Sequence, residues 1–378
     1  MSKESLKDIR VKIDAVDKQM MELFKERMAL SQEVALIKRD NNISLIDPTR
    51  EAQVIEAAID ITGQELKGET IALVKSLMGL SKSWQRKVLY NENAEYYFPD
   101  PQPPVTENVT VAYQGVPGAW GEQAAMQLFS SVPFEALETF EDVFIAVKDR
   151  KATYGVVPIE NSRTGGIGEV YDLLRKYGCY IVGQTWVNIQ QCLMGLPGTK
   201  LEDIREVFSH PQGFLQSRDF LRGRSWDLTA CRNTSVGASM VVEKQNKRYA
   251  AIGSKRAAQL NGLSVLAPNI ATDEHNKTRF IVIANAPEYD KNCDTVSVIF
   301  RTAHKAGALC DVLFPLMAEG VNMKRLESRP IADERYVFFC DLAGNIFDGN
   351  MHEALRQASA CCGYLEVLGC YNDNTPQR

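Results

Sequence analysis

The stretch LFKERMALSQEVALIK, residues 23–38, has an arginine where its pattern calls for an apolar residue. Apolar side chains recur at alternating steps of three and four over residues 6–37, and the one missing position is Arg27. This spacing is typical of a helix whose narrow apolar seam faces another helix. A guanidinium in such a seam is strongly unfavourable unless an anion meets it. Arg27 is therefore expected to pair with a carboxylate of the protein, such as Glu33 or Glu56, or with a ligand.

The seam belongs to a helical segment. Residues 5–39 contain neither glycine nor proline, and a helix of that length is roughly 50 Å long. Asp47 and Pro48 are the N-cap and first residue typical of a second helix, which Gly63 ends. A third helix, from near Glu69, has a similar seam. A first helix too long for the core of one compact chain predicts an intertwined helical dimer.

Further polar residues break the same seams. Lys38 lies ~16 Å from Arg27 along the helix axis and about 20° from it around the axis, so both side chains can reach one ligand. Arg10 lies ~25 Å from Arg27 and can join that ligand only from a second, antiparallel chain. Ser81 and Gln85 lie one turn apart in the third helix and supply a hydroxyl and an amide. Three cations with two neutral polar groups suit a small dianion, which favours a ligand over an internal ion pair.

In type and position these residues resemble the all-helical class of chorismate mutases. The resemblance covers residues 5–90, including IDAVDKQMMELFKERMALSQEVALIK and IDPTREAQVI. It implies a substrate site made of Arg10 from the partner chain, Arg27, Lys38, Asp47, Arg50, Glu51, Ser81 and Gln85.

The resemblance also implies a role for each group. The three arginines would hold the carboxylates of chorismate, and Lys38 and Gln85 would bind its ether oxygen. Asp47 and Glu51 would lie near the ring hydroxyl. A Claisen rearrangement fits this set, because it needs a folded substrate and cations at the breaking C–O bond rather than an acid or a base.

A proline-rich segment, residues 91–108, separates the helical part from a region of different pattern. Strands there alternate with glycine-rich turns and helices, as in VTVAYQGVPGAWGEQAAMQLF and YGVVPIENSRTGGIGEVYDLL, which predicts a parallel α/β sheet. Ligands bind at the carboxyl ends of such strands. The polar residues expected near the strand ends are Glu160, Asn161, Ser162, Ser209, His210, Gln212, Gln216, Thr278 and Arg279. Taken singly, these have plain alternatives: a cap at Glu160-Asn161, a structural His210 and a surface ion pair of Arg279.

Together, GVPGAWGEQAA, VVPIENSRTGGIGEVYDLL, SHPQGFLQ and KTRFIVI resemble the prephenate dehydratases over residues 108–285. The resemblance implies two α/β lobes that close on prephenate, as in periplasmic binding proteins. The positions it marks as important are Asn161, Ser209, Gln216, Thr278 and Arg279, with Glu160 close by. Trp120-Gly121 departs from the family, which usually has Tyr or Phe followed by Ser or Thr.

The chemistry of such an enzyme calls for a proton donor. Prephenate loses its ring carboxylate and its ring hydroxyl to become phenylpyruvate, and hydroxide leaves poorly unless it is protonated. Thr278, polarised by Arg279, is the predicted donor to that oxygen. Arg279 is also predicted to hold a carboxylate of the substrate.

The region after Pro287 reads β-α-β-β-α-β, the ferredoxin-like order. Its segments GALCDVL and LESRP resemble the ACT module of phenylalanine-regulated dehydratases, over residues 294–372. The resemblance implies a phenylalanine site across a subunit interface, made of Gly307, Ala308, Leu309, Glu327, Ser328, Arg329 and Pro330. The alternatives are an ordinary turn at Gly307 and a surface charge at Arg329.

Composition bounds the remaining possibilities. The chain has 378 residues and a net charge of -5, which argues against a nucleic-acid partner. It has no apolar run of about 20 residues and no signal-peptide core at its start, which predicts a cytoplasmic protein without a membrane partner. Nine scattered cysteines without a C-x-x-C pair predict reduced thiols rather than a zinc or redox site. No metal and no cofactor are expected.

The sequence therefore predicts three domains, at residues 1–92, 108–287 and 294–372, with a linker at 93–107. The resemblances imply an enzyme that rearranges chorismate to prephenate and converts prephenate into phenylpyruvate, under feedback by phenylalanine. Joining the two sites in one chain holds the second close to the source of its substrate. The alternatives are a dehydratase that also accepts arogenate and a non-catalytic amino-acid sensor.

Overall fold

The computed structural model describes residues 5–41, 43, 47–89, 96, 98–232, 234–273, 275–288, 291–331 and 336–373. Within these ranges no helix is long and apolar enough to cross a membrane.

The N-terminal part is made of three α-helices, as predicted: α1 (Leu6–Asp40), α2 (Pro48–Thr62) and α3 (Lys67–Leu89). Ser5 and Asp8 form a capping box at the start of α1. Asp47 caps α2 by accepting the backbone N–H of Arg50 at 3.0 Å, and Gly63 ends that helix with a φ of 83°. These local signals are the reason that the helix boundaries could be read from sequence.

The long first helix packs against α3 of the same chain, but its apolar seam does not. Ser31 and Ala35 are the buried residues of α1. Leu23 is 66% exposed. The remaining seam residues are also exposed, namely Leu6, Ile9, Ile13, Val16, Met20, Leu30, Val34 and Ile37. A single chain therefore leaves a stripe of large apolar side chains in water over the whole length of α1.

The middle of the chain forms two α/β lobes. The first begins with β1 (Val111–Gln114), α4 (Trp120–Leu128), β2 (Phe134–Leu137), α5 (Phe140–Lys148), β3 (Tyr154–Asn161), β4 (Gly165–Gly166), α6 (Gly168–Tyr177) and β5 (Tyr180–Asn188). The second contains β6 (Cys192–Gly195), β7 (Glu206–Ser209), α7 (Pro211–Gln216), α8 (Arg218–Leu221), β8 (Asp227–Ala230), α9 (Thr234–Lys244), β9 (Tyr249–Gly253), α10 (Lys255–Leu260) and β10 (Ser264–Ala267). The chain then returns to the first lobe through β11 (Lys277–Ala284).

The sheets of both lobes are mixed, so the prediction of a parallel sheet is only partly right. In the first lobe, in the order β2-β1-β3-β11-β5, β1 is parallel to β2 and β3, whereas β11 is antiparallel to β3 and β5. In the second lobe, in the order β10-β6-β9-β7-β8, β6 runs against β9 and β10. β11 is antiparallel to β3 because the chain returns from the second lobe and enters the first sheet at the end of β3.

The C-terminal part has the predicted β-α-β-β-α-β order: β12 (Thr295–Arg301), α11 (Ala308–Ala318), β13 (Met323–Pro330), β14 (Tyr336–Ala343), α12 (Gly349–Ser359) and β15 (Tyr364–Tyr371). Its sheet is antiparallel throughout, in the order β13-β14-β12-β15.

This C-terminal sheet packs on the first lobe rather than standing apart. Ile281 of β11 and Leu368 of β15 belong to one apolar core. A Cβ at Gly369 would overlap the carbonyl oxygen of Ile181, so the close approach of β15 to β5 requires glycine there. The helical part also touches this domain, since the Ser83 hydroxyl of α3 donates to the side chain of Gln357 on α12.

Candidate active sites

Arg27 lies between α1 and α3 and is half-buried. Its Nη1 donates to the carbonyl oxygen of Leu77, at 2.9 Å, and to the hydroxyl of Ser81. Among the described residues Arg27 has no carboxylate partner, so neither Glu33 nor Glu56 neutralises it. Burial lowers the pKa of Arg27 from its ordinary value. The guanidinium is thus partly desolvated with its charge unpaired, as a site for an anion requires.

The structure brings together part of the predicted mutase set. Ser81 contacts Arg27, and Gln85 is buried one turn further along α3. Glu51 of α2 forms an ion pair with Lys82, with 2.9 Å between Nζ and Oε1.

Sequence reasoning missed Lys82, because a lysine beside Ser81 is off the helical seam. The other predicted residues are more exposed than Ser81 and Gln85. Lys38 is half-buried, Asp47 serves as the cap of α2, and Arg50 is exposed. Arg10 is exposed, roughly 25 Å from Arg27 along the axis of α1, so one chain does not bring it to the site.

A second candidate site is a cleft of about 370 Å³ between the two α/β lobes. Trp120 at the start of α4, Asn161 at the end of β3 and Thr278 in β11 line it from the first lobe. From the second lobe it is lined by His210, the N-cap of α7, and by Gln216, the last residue of that helix. The cleft lies between the two lobes and beside the carboxyl end of β3, where the sequence predicts that a ligand binds.

Asn161 holds Thr278 in this cleft. The two residues are opposite each other in the β3–β11 ladder, and both are buried. The Nδ2 of Asn161 donates to Thr278 Oγ1 at 2.9 Å and to Asn276 Oδ1 at 2.9 Å. Its Oδ1 accepts the backbone N–H of Arg163 at 3.0 Å, which fixes the amide. Because the threonine oxygen accepts a hydrogen bond, its own proton is directed elsewhere, and the cleft is the open side.

Arg279 does not face the cleft, and the prediction that it polarises Thr278 and holds a substrate carboxylate is wrong for this structure. Its side chain is 3% exposed, so the surface ion pair is wrong as well. Nε lies 3.0 Å from Glu160 Oε2, and Nη1 lies 2.9 Å from Asp341 Oδ2 and 3.0 Å from Gln184 Oε1. Burial alone would lower the pKa of Arg279, but Asp341, with Glu160, raises it above the ordinary value. Neighbouring residues of a strand point to opposite faces, which sends Arg279 and Glu160 towards the C-terminal sheet.

Two further predicted residues do not face the cleft either. Ser209 is fully buried and donates to the carbonyl oxygen of Ile252 at 3.0 Å. The oxygen of Ser162 accepts the backbone N–H of Lys277 at 3.0 Å and so shapes the turn after β3. Both hydroxyls hold backbone in place. Gln216, by contrast, faces the cleft and accepts a hydrogen bond from Gln191 Nε2 at 2.8 Å. Gln191 was not predicted, because nothing in its sequence surroundings distinguishes it from an ordinary connection between strands.

The C-terminal candidate residues fall into two groups. Gly307, with a φ of 85°, precedes α11, and with Ala308 and Leu309 it lines a groove of about 470 Å³ closed by Tyr336 and Phe338 of β14. Glu327, Ser328, Arg329 and Pro330 lie on β13, one strand further away.

The β13 residues alternate between two faces. Arg329 faces the first lobe, where its Nη2 lies 3.2 Å from Asp172 Oδ2 of α6, and Glu327 faces Gly166. Ser328 and Pro330 are exposed on the opposite face. Glu327 and Arg329 therefore point away from the groove beside Gly307. Ser328 and Pro330 pair with its lining residues Phe338 and Tyr336 and border the groove without lining it.

Two family models match separate parts of the chain. Residues 9–86 match the family model of chorismate mutase type II, and residues 111–288 match that of prephenate dehydratase. The bifunctional chorismate mutase/prephenate dehydratase of Enterobacter agglomerans is 32% identical over 374 residues, which cover 96% of this chain and 95% of the relative. That of Escherichia coli (strain K12) is 30% identical over 380 residues, covering 98% and 97%.

Two solved structures share the fold of about 70% of the chain. A prephenate dehydratase from Arthrobacter aurescens in complex with L-Phe has a TM-score of 0.65 and 26% identity, covering 71% of this chain and 92% of its own. GqqA, described as a novel type of quorum-quenching acylase, has a TM-score of 0.65 and 31% identity, covering 70% and 97%. Full-length matches to relatives that carry both domains show that the chain belongs to the family of bifunctional chorismate mutase/prephenate dehydratases.

Proposed function

We propose that this bifunctional enzyme rearranges chorismate between α1 and α3 and dehydrates prephenate in the cleft, with Thr278 as the proton donor. The hydrogen bond from Asn161 to Thr278 Oγ1 is the observation on which the role of Thr278 rests. The half-buried, unpaired charge of Arg27 supports the mutase assignment. Neither reaction needs a cofactor in this scheme.

In the mutase site the substrate supplies the anion that Arg27 lacks. A carboxylate of chorismate would pair with Arg27, while Lys38 and Gln85 approach the breaking ether bond, where negative charge develops. Holding the substrate folded supplies the rest of the acceleration. The Glu51–Lys82 ion pair would hold the Glu51 carboxylate near the ring hydroxyl, with Asp47 and Arg50 at the start of the same helix.

The mutase site is proposed to be completed by a second chain. Exposed apolar side chains along all of α1 support an intertwined homodimer, because burying each large side chain contributes about 1.5–3 kcal/mol. An antiparallel partner helix would carry its own Arg10 to the neighbourhood of Arg27. The enzyme is therefore proposed to work as a homodimer or a higher homo-oligomer.

In the cleft, Thr278 donates its proton to the ring hydroxyl of prephenate as the C–O bond breaks. The electron pair of that bond leaves with the oxygen, which departs as water. The bond to the ring carboxylate breaks at the same time, its electron pair enters the ring, and carbon dioxide leaves, which yields phenylpyruvate. The Asn161 amide stabilises the threonine oxygen until it regains a proton from solvent.

Substrate carboxylates would be held by neutral donors, because the described residues that line the cleft include no lysine or arginine. The start of α4 faces the cleft, and its N-cap, Ala119, offers no side-chain hydrogen bond to the first N–H groups. Those N–H groups and the helix dipole suit a carboxylate. Gln216 and His210 would supply further contacts from the second lobe.

The C-terminal part is proposed to be an ACT domain that binds phenylalanine and inhibits the dehydratase. The groove beside Gly307 has room for the backbone of an amino acid, since nothing lies within 4 Å of a Cβ placed there. The exposed Ser328 and Pro330 would close the groove of a neighbouring subunit, which is consistent with a site shared between chains. Arogenate as a second dehydratase substrate stays an alternative.

The test is turnover by the full-length enzyme with chorismate as the only substrate. In Thr278→Val the shape of the side chain is kept and the hydroxyl is lost. Dehydration should fall by roughly 100- to 10,000-fold, the contribution of a positioned acid. Prephenate should accumulate at the normal mutase rate, because Arg27 and its surroundings are untouched. Normal phenylpyruvate formation by this variant would rule Thr278 out as the donor, and absence of both activities in the parent enzyme would favour the amino-acid sensor.

A further inference from the structure

The connection between β5 and β6, where the chain first crosses from one lobe to the other, contains a buried polar side chain of unassigned role. Gln191 lines the cleft and is 2% exposed. Its Nε2 donates to Gln216 Oε1 at 2.8 Å, but its Oε1 has no hydrogen-bond partner among the described residues. The amide nitrogen of Gln191 is therefore hydrogen-bonded, whereas its amide oxygen is not.

The backbone around Gln191 is also fixed. Its carbonyl oxygen accepts the N–H of Ile270, at 2.8 Å, from the second crossing between the lobes. The carbonyl oxygen of Gln216 accepts the N–H of Thr272 at 2.7 Å. The backbone of Gln191 and that of its partner Gln216 are thus both tied to the second crossing.

A buried carbonyl oxygen without a donor costs roughly 1–3 kcal/mol, and such groups are rare in folded proteins. A ligand that brings a hydrogen-bond donor into the cleft would remove this cost. Prephenate carries two carboxylates and a keto group, which only accept hydrogen bonds at neutral pH. Its ring hydroxyl is the one group that can donate.

We infer that Gln191 binds the ring hydroxyl of prephenate: its Oε1 accepts the hydroxyl hydrogen, while Thr278 donates to the same oxygen. This rests on the proposed role of Thr278. Accepting the hydrogen on one side orients a lone pair of the oxygen towards Thr278 on the other. Gln191 is thereby both a substrate-binding residue and a determinant of specificity, because a substrate without the hydroxyl leaves the amide oxygen unpaired.

The test uses two unreactive analogues of prephenate with a reduced ring, one with the ring hydroxyl and one without it. The full-length parent enzyme should bind the hydroxyl form roughly 10-fold or more tightly than the deoxy form, the factor that one hydrogen bond to a buried group gives. Gln191→Met keeps the length of the side chain and removes the acceptor, so it should bind both forms with the same affinity. Its dehydratase kcat/KM should fall by a similar factor.

Two further variants separate this role from a structural one. Gln191→Glu keeps an acceptor at the same position, so it should still prefer the hydroxyl form even if its charge weakens binding of both analogues. Thr199→Val removes another buried and unpartnered oxygen that lies outside the cleft lining. Thr199→Val is the matched control, and it should have the dehydratase kinetics of the parent enzyme and the same preference for the hydroxyl analogue.

Equal loss of affinity for both analogues in Gln191→Met, or the same loss in Thr199→Val, would overturn the inference. The inference would also fail if Gln191→Met lost affinity only for arogenate, because the ammonium group of arogenate would then be the donor that Gln191 meets. The Thr278→Val variant, measured in parallel, keeps the two proposals apart. If it stops dehydration while Gln191→Met retains its preference for the hydroxyl form, only the assignment of Gln191 fails.

Discussion

Arg27 and Arg279 are both conspicuous in the sequence, but their charges have opposite surroundings in the structure. Arg27 is half-buried and is met by the uncharged oxygens of Leu77 and Ser81. Arg279 is almost fully buried and is met by the carboxylates of Glu160 and Asp341. Accordingly, the environment lowers the pKa of Arg27 and raises that of Arg279.

The difference shows what an arginine near a site can be expected to do. A charge already neutralised by two carboxylates is not available to a substrate, and removing one of those carboxylates would leave an uncompensated buried ion. A charge that meets only neutral oxygens still has most of its attraction for an anion. The charge of Arg27 is therefore available to a ligand, as the proposed mutase site requires, whereas Arg279 fastens the first lobe to the C-terminal sheet.

The sharpest way to break this comparison is Arg27→Leu. Mutase activity should fall by roughly 100- to 1000-fold, as for loss of one donor that stabilises developing charge. Stability should stay the same or rise, because the change removes a partly buried charge and restores the apolar seam. Chorismate turnover and thermal unfolding measure the two effects. Lys18→Leu changes an exposed residue of the same helix and should alter neither activity nor stability. A large drop in the melting temperature of Arg27→Leu would identify Arg27 as a structural residue.

The proposed contribution of Arg10 from a partner chain can be tested through the exposed seam. Ile13→Asp places a carboxylate in the seam and should produce monomers that lack mutase activity but keep dehydratase activity. Val11→Asp changes a side chain that is similarly exposed but lies outside the seam, so it should remain dimeric and active. Sedimentation and both turnover assays measure these outcomes. A monomeric Ile13→Asp enzyme with full mutase activity would contradict a shared site.

Asp341→Asn tests the other arginine. It removes one of the two charges that neutralise Arg279 and should destabilise the enzyme by about 3–5 kcal/mol, the cost of breaking a buried ion pair. Asp172→Asn breaks the more exposed pair with Arg329 and should cost less than about 1 kcal/mol. Urea unfolding of both variants gives the comparison. Equal stability of the two would show that the buried pair contributes no more than the surface one.

The smallest effect is expected at the effector groove. Gly307→Asn adds a side chain at a position whose φ of 85° asparagine tolerates, so the fold should be kept. Phenylalanine should then inhibit the dehydratase roughly 10-fold more weakly, within the usual range of coupling between two sites. Gly320→Asn, at a φ of 69° beyond the other end of α11, is the matched control and should be inhibited normally. Unchanged inhibition of Gly307→Asn would place the effector elsewhere.

Several features of the sites were readable from the sequence because they depend on neighbours a few residues away. Arg27 interrupts a helical repeat, and Asp47 and Gly63 bound a helix by local capping geometry. Asn161 and Thr278 belong to short motifs at strand ends, where a ligand is expected. By contrast, Lys82 and Gln191 carried no periodic signal, and their roles depend on Glu51 and Gln216 from other elements.

The sequence by itself determined the order of elements, the three regions of the chain and the break in the apolar seam, since periodicity and capping act within one or two turns. Only the tertiary structure decided which way the neighbours Thr278 and Arg279 face. That choice comes from the pairing of β11 with β3 and from Asp341, which lies 62 residues after Arg279 on a different sheet. Contacts between residues so far apart in the chain leave no local pattern, so the partner of a charge can be identified only when the sheets are packed together.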